Sequence, residues 1–196
     1  MAIDELLFRD AATPLLRIYR WAHPAVSFGY FGKVAAVRAS WPEREPVRRW
    51  TGGGAVLHGD DLTYTLIVPR GTKFLSLSLS ESYRAIHERI ASLLPGAEIA
   101  RASAQSGSGA CFDRAVEHDL IVAGRKVAGA AQRRTLSGLL HQGSIQVAQK
   151  NDALRKELAG RFARQVHVRP LLKEELERAR LLAGERYGSR EWLERR

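Results

Sequence analysis

The segment Leu62-Thr63-Tyr64-Thr65-Leu66-Ile67-Val68 places Leu62, Tyr64, Leu66 and Val68 on one side of an extended chain and two threonines on the other. A period of two marks a half-buried strand, so the fold contains a sheet; Pro69 and Gly71 end this strand. The next segment has the helical period. Ser78-Leu79-Ser80-Glu81 fits a capping box, in which Ser and Glu satisfy each other's free backbone N–H groups. Leu79, Tyr83, Ile86, Ile90, Leu93 and Leu94 then form one stripe up to Pro95. Pattern and turn chemistry predict a short helix over 3–11, extended pieces over 15–21, 26–30 and 47–50, and a loop bracketed by Pro42 and Pro46. Strand-like pieces follow over 119–122, 126–128 and 139–147, helices over 152–162 and 171–183, and a last turn over 189–193. This order lacks the regular strand–helix alternation of a doubly wound sheet. The expectation is an α+β fold: a mixed sheet core with flanking helices, one domain over 1–196, with a helical C-terminal segment from about 150.

A chain of 196 residues, 45% of them hydrophobic, suits one domain with a sizeable core. No stretch approaches the roughly 18 uninterrupted apolar residues of a membrane helix. The opening residues carry Asp4, Glu5 and Asp10 where a signal peptide has Lys or Arg, so a cytoplasmic protein is expected. The formal charge is +10, of which residues 151–196 hold +4, from 12 Lys and Arg against 8 Asp and Glu. Such a surface suits nucleic acid, an anionic membrane or an acidic protein, and charge alone does not choose among them. The aromatic residues are not interleaved with basic ones in a stacking pattern, and no nucleic-acid motif is present, which disfavours the first.

Cys111 is the one cysteine. It forms no internal disulfide and no Cys-rich zinc site. It follows the Ala/Ser/Gly-rich stretch 102–110, which reads as a mobile loop. A lone Cys is commonly a small buried hydrophobe; it becomes a nucleophile where a cation or base favours its thiolate.

Three strings carry the remaining signal. Arg48-Arg49-Trp50-Thr51-Gly52-Gly53-Gly54-Ala55-Val56-Leu57-His58 joins arginines to three glycines. Glycines let the backbone approach a ligand closely, and their N–H groups can cradle an oxyanion; alone, the run reads as readily as a flexible turn. It fits neither the dinucleotide nor the P-loop pattern. The second string runs Gly124-Arg125-Lys126-Val127-Ala128-Gly129-Ala130-Ala131-Gln132-Arg133-Arg134. A hairpin turn at Gly124 presents Lys126 at the start of a strand, with Gly129, Ala130 and Ala131 leaving space; alone, the string reads as a solvated basic edge strand. The third, Leu139-Leu140-His141-Gln142-Gly143-Ser144-Ile145, reads as a buried strand with a bulge at Gly143.

Together these strings resemble the lipoate/biotin protein ligase and octanoyltransferase superfamily. Its members carry Arg-Arg-x-Thr/Ser-Gly-Gly-Gly-x-Val-x-His followed by Leu-x-Tyr-Ser/Thr, matched by Arg48 to His58 with Leu62, Tyr64 and Thr65. They also carry Gly-Arg-Lys-x-x-Gly-x-Ala-Gln-x-Arg, matched by Gly124 to Arg134. Arg20-Trp21 with Pro24, Ser27 and Gly29, and the closing Arg186 to Trp192, agree as well. Within the superfamily the chain looks most like the cysteine-dependent octanoyltransferases, which place Cys-Phe shortly before Gly-Arg-Lys; here Cys111-Phe112 precedes Lys126 by 126 − 111 = 15 positions.

The resemblance implies a biotin/lipoate-ligase-like catalytic domain. It implies Cys111 and Lys126 as catalytic residues, with Arg49, Thr51, Gly52, Gly53, Gly54, His58, Gly129 and Ala130 around the substrate. The apolar slot is expected to be lined by residues such as Trp50, Val56 and Ala130. The implied reaction moves an octanoyl or lipoyl group, through a Cys thioester, from acyl carrier protein to a lysine of a lipoyl domain or a glycine-cleavage H-type protein. It needs no metal or nucleotide cofactor, and neither nucleic acid nor membrane is a partner. The alternatives are an ATP-dependent lipoate-protein ligase and a non-catalytic acyl-binding module. One departure stands out: the transferase pattern has Gln-His-Gly-Ser where this chain has His141-Gln142-Gly143-Ser144.

Overall fold

The computed structural model describes residues 1–101, 115–146 and 152–195. In chain order the elements are α1 (Ala2–Asp10), β1 (Leu15–Tyr19), β2 (Ala25–Phe28), α2 (Val34–Ser40), β3 (Glu45–Arg48), β4 (Val56–His58) and β5 (Leu62–Pro69). A 3-10 turn (Lys73–Ser76) leads to α3 (Leu79–Ala91), β6 (Ala97–Ile99), β7 (Leu120–Val122), β8 (Arg125–Thr135) and β9 (Gly138–Ile145). Then come α4 (Asp152–Gly160), α5 (Lys173–Leu182), one π turn (Ala183–Tyr187) and α6 (Arg190–Glu194).

Two sheets form. The larger has the order β1-β5-β9-β8-β7-β6, with every neighbouring pair antiparallel. The smaller has the order β3-β2-β4, where β2 and β3 run parallel and β4 is antiparallel to β2. The parallel pair is joined by α2, because parallel neighbours need a crossover rather than a hairpin. The α+β expectation, a mixed sheet with flanking helices, matches this architecture.

The core lies on both faces of the larger sheet. On one face Ile86 and Ile90 of α3 and Leu154 and Leu158 of α4 pack against Tyr64, Leu66, Leu120, Leu139 and Ile145. On the other, Leu7 and Phe8 of α1 meet Ile67 and Leu140. Burial of each such side chain stabilises by about 1.5–3 kcal/mol. The capping box of α3 is present as expected, with Ser78 and Glu81 bonding each other's backbone.

Several local expectations need correction. β5 is buried along its whole length rather than on one face: Thr63 and Thr65 are covered instead of facing water, with Thr63 bonded to Trp21 and Asp61. β8 is no solvated edge strand; it is eleven residues long and lies between β9 and β7. β9 pairs with β5 and β8 in continuous register through Gly143, without a bulge. Gly143 is needed for another reason: a Cβ there would fall 2.3 Å from the Tyr64 ring. The bulge lies in β8, where Leu120 pairs with Ala128 but Ile121 pairs with Lys126. Leu79, placed on the buried stripe of α3, is 56% exposed. Pro46 sits inside β3, tolerated because β3 is an edge strand. The hairpin at Ala123-Gly124 has both residues at positive φ, 48° and 76°, as a tight turn of the expected kind requires.

Candidate active site

A narrow cleft lies between the two sheets. The smaller sheet and the loop before β4 supply Ser27, Arg49, Gly53, Gly54, Val56 and His58. The larger supplies Tyr19, Thr63, Lys126, Gly129, Ala130, Ala131, Gln142, Gly143 and Ser144. Met1 and Trp21 complete the wall. Of the expected site residues, Lys126, Arg49, Gly53, Gly54, His58, Gly129 and Ala130 are therefore brought together. Thr51 and Gly52 adjoin these residues in the chain but are not part of the lining. Cys111 and Phe112 lie outside the described residues.

Lys126 reaches the cleft because of the β8 bulge. Residues three apart in a regular strand face opposite ways, but the extra residue near Val127 shifts the alternation, so Lys126 and Gly129 share a face. The Lys126 ammonium is 2.7 Å from the Asp119 carboxylate, and both side chains are nearly buried, 5% and 4% exposed. Asp119 is held in turn by the Val116 amide at 2.7 Å. Gly129 makes room for the pair: a Cβ there would stand 2.6 Å from Lys126 Cε and 2.9 Å from Asp119 Oδ1. Arg125 is exposed, on the far side of the alternation from Lys126.

The two arginines before the glycines have different tasks. Arg48 is turned away from the cleft and donates to four backbone carbonyls, those of Tyr30, Gly32, Leu193 and Arg195, at 2.6–2.9 Å. It ties the end of α6 to the smaller sheet. Arg49 donates to the carbonyls of Gly52 (2.9 Å) and Gly54 (2.8 Å) and to Ser27 Oγ (2.8 Å). Gly53 has φ +85° and rests near Ala131. Gly29 must also lack a side chain, since a Cβ there would fall 2.0 Å from the Gly53 carbonyl oxygen. Trp50 is not in the cleft wall. It packs edge-on against Phe8 at 5.7 Å, and the Arg133 guanidinium lies 4.4 Å over its ring.

Gln142 and His141 face opposite sides of β9. The Gln142 amide lines the cleft, accepts from Thr51 Oγ1 at 2.9 Å and donates to Asp4 Oδ2 at 2.8 Å. His141 is fully buried on the α3 side, bonded to Tyr64 Oη and Gln132 Nε2, both at 3.0 Å. Burial holds its pKa well below the usual histidine value, and the nearby His87 adds to this. His87 is lowered too, chiefly by burial; its Nδ1 bonds the His118 carbonyl, while its Nε2 is buried without a hydrogen-bond partner among the described residues. Burial likewise raises Tyr64 well above the ordinary tyrosine value, with Tyr83 and Asp119 adding to it.

Sequence reasoning passed over Asp61 and Ser27 as functional residues, and gave Asp119 no role. Asp61 Oδ2 accepts from His58 Nδ1 (2.8 Å), Thr63 Oγ1 (2.8 Å) and Ser144 Oγ (2.7 Å). Burial pushes this carboxyl up, but the hydrogen bonds from His58 and Ser144 and from the Gly59 amide outweigh it and hold it below the usual carboxylate value. An Asp three residues after the motif His, beside a strand, was the available signal; only the fold shows that it turns inward. Among the described residues no group of three or more His, Cys, Asp or Glu side chains is placed to hold a metal ion, and no helix is long and apolar enough to cross a membrane.

Residues 1–170 match the family of lipoyl protein ligase A/B catalytic domains. The chain belongs to this family. Among curated relatives, this lipoyl ligase A/B-type chain is 39% identical over 167 residues to the octanoyltransferase LipM of Carboxydothermus hydrogenoformans, covering 79% of this chain and 62% of that protein. It is 36% identical over 176 residues to the LipM of an Exiguobacterium strain, covering 79% and 63%. The chain thus spans about three-fifths of the length of these relatives. Among solved structures, a lipoate-protein ligase A bound with ATP superimposes with TM-score 0.78 at 20% identity, over 98% of this chain and 91% of that one. A bi-partite lipoate protein ligase from Thermoplasma acidophilum gives 0.69 at 19%, over 97% and 89%. The family fold therefore extends over nearly all of this chain.

Proposed function

We propose that this chain is an octanoyltransferase of the cysteine-dependent kind, moving an octanoyl or lipoyl group by way of Cys111 onto a lysine of a lipoyl domain or H-type protein. The observation that carries the reading is the buried Lys126 ammonium on the cleft wall, fixed by Asp119 and given room by Gly129. The LipM names of relatives 36% and 39% identical to this chain over the aligned residues support the transferase branch, as does Cys111-Phe112 before Gly-Arg-Lys.

In the first step the Cys111 thiolate attacks the carbonyl carbon of the donor thioester. A new C–S bond forms, the donor's C–S bond breaks, and the carrier leaves as a thiol bearing the proton Cys111 gave up. In the second, the neutral amine of the target lysine attacks the acyl-Cys111 carbonyl. The amide C–N bond forms, the C–S bond breaks, and the amine proton returns to sulfur. Lys126 favours the thiolate and donates to the acyl oxygen. Backbone N–H groups of the 52–54 or 129–130 segments hold the developing oxyanion. The acyl group arrives already activated as a thioester, so this chemistry draws on neither nucleotide nor metal. The apolar tail occupies the cleft beside Val56 and Ala130. A net charge of +10 suits acidic carrier and acceptor proteins and speeds their encounter.

The test is intact mass after incubation with octanoyl carrier protein without ATP. One octanoyl mass should appear on the protein, be removed by hydroxylamine, and be missing in Cys111→Ala. Full-rate transfer by Cys111→Ala sinks the proposal. Pyrophosphate release from ATP and free octanoate would assign the chain to the ligases instead, and acyl binding without turnover would make it a binding module.

A further inference from the structure

We infer that Asp61, His58 and Ser27 are positioning residues, forming a buried relay whose task is to hold the Arg49 guanidinium against the glycine loop of the cleft. All four side chains are buried, at 2%, 4%, 1% and 6% exposure for Asp61, His58, Ser27 and Arg49. The inference rests on the transferase reading and goes beyond it, since that reading treats His58 as a substrate-binding residue.

The hydrogen bonds run without a break along the relay. A guanidinium only donates, so Ser27 Oγ accepts from Arg49 Nη1 at 2.8 Å. Ser27 Oγ and His58 Nε2 share the next hydrogen bond, 2.6 Å long. The Asp61 carboxylate only accepts, so His58 Nδ1–H donates to its Oδ2 at 2.8 Å. Both ring nitrogens of His58 are thus used inside the protein. One ring face is also covered, because Trp21 stacks on it at 4.2 Å and 17°. His58 lines the cleft but has no nitrogen left with which to bind substrate.

The far end of the relay explains its purpose. Three successive glycines have no side chains to fix their backbone, and they carry the largest conformational freedom of any residue. The Arg49 fork fixes them by bonding two carbonyls at once, those of Gly52 and Gly54. Its own position is set by Ser27 on β2, through His58 on β4, to Asp61. Asp61 is anchored by Ser144 of β9, in the opposite sheet. The relay therefore fixes the loop relative to the strand pair that carries Lys126 and Gly129. Pre-set loop amides bind the tetrahedral oxyanion better than the planar thioester, so loosening them should cost turnover more than substrate binding.

The test compares Ser27→Ala and Ser27→Thr in steady-state transfer from octanoyl carrier protein to a lipoyl domain, after wild-type transfer has been established. Ser27→Ala removes one oxygen and leaves Arg49 its two carbonyls; kcat is expected to fall ~10- to 100-fold with KM for the carrier within about twofold. Ser27→Thr keeps a hydroxyl and suits a strand; it should recover kcat to within about threefold of wild type. Should Ser27→Ala not fold, Ser27→Cys, near in shape but a weak donor, takes its place with the same expected direction. A lowered Tm with kcat unchanged would reduce the relay to a structural tie and overturn the inference. A Ser27→Thr protein as slow as Ser27→Ala, or a loss confined to KM, would overturn it as well. Wild-type protein that transfers nothing would fail the transferase reading itself, an outcome distinct from these.

Discussion

Gly129→Ala adds one methyl group against the Lys126–Asp119 pair on the cleft wall, and its consequences can be worked out from the geometry. The new Cβ would stand 2.6 Å from Lys126 Cε, 2.8 Å from Nζ and 2.9 Å from Asp119 Oδ1. Contacts between carbon atoms settle at about 3.5–4.0 Å, so the lysine end must retreat by roughly 1 Å. It is the far end of a flexible chain and can do so without moving the strand. The retreat stretches the 2.7 Å ion pair. At an effective dielectric of about 20, the attraction falls from about 6 to about 4.5 kcal/mol. Stability should therefore drop by ~1–2 kcal/mol, which leaves the protein folded at 25 °C and lowers Tm by roughly 2–8 °C. A reacting group misplaced by ~1 Å costs on the order of 100-fold in rate, equivalent to about 2.7 kcal/mol of barrier. Octanoyl transfer followed by intact mass, alongside a thermal melt, reads both numbers. Transfer within threefold of wild type would refute the claim that Gly129 exists to seat the Lys126–Asp119 pair. A protein unfolded at 25 °C would refute the claim that only the Lys126 and Asp119 side-chain ends yield.

Lys126→Ala should cripple transfer while Arg125→Ala is mild, since Arg125 is exposed on the other side of β8; Lys126→Arg keeps the charge but not the shape of the head group and should restore only part of the rate. Unchanged transfer in Lys126→Ala would remove it from the site. Gly143→Ala drives a Cβ to 2.3 Å from the Tyr64 ring in a packed core; about 1–3 kcal/mol of overpacking should lower Tm by roughly 2–12 °C, and an unchanged melt would contradict the register described for β9. Stability should fall on mild acidification: His141 and His87 are neutral in the fold with pKa values below 6.5, so their contribution is complete above about 6.5 and is lost as pH drops below it, by up to about 1.4 kcal/mol per pH unit for each ring. Urea unfolding at pH 7.5 and 5.5 checks this, and equal stability at the two would show that the rings protonate freely. Finally, the bimolecular rate with an acidic protein substrate should decline with salt, because exposed charges are screened within about 10 Å at 0.1 M; a salt-independent rate constant would mean that the +10 charge serves something else.

The parts legible in the sequence were those governed by local chemistry. The alternation of 62–68, the capping box at Ser78 and the turn at Gly124 each act over a few residues, and each appears where the pattern put it. The motif strings likewise gathered seven expected residues around one cleft. What the sequence concealed depended on pairing. No local pattern announces that β2 and β3 run parallel, and so α2 went unnoticed. Nor does it announce the extra residue in β8 that turns Lys126 toward Gly129. The threonines of β5 looked like a solvent face because nothing nearby in the chain shows what covers them. Trp50, an aromatic beside the glycines, was expected in the slot, but the sharp turn at Thr51 sends it against Phe8 instead.

The exchange of His and Gln at 141 and 142 now has a physical consequence. Side chains alternate along a strand, so the second slot of that motif faces the cleft and the first faces α3. Here the cleft receives the Gln142 amide, already bonded to Thr51 and Asp4. The imidazole sits behind the sheet, neutral and bonded to Tyr64 and Gln132. His58, the histidine that does line the cleft, spends both nitrogens on Ser27 and Asp61. Of these two histidines, both among the described residues, neither is placed to take a proton from an incoming lysine amine. In the proposed second step the thiolate that departs as the amide forms takes the amine proton, with Lys126 as the ammonium that steadies it.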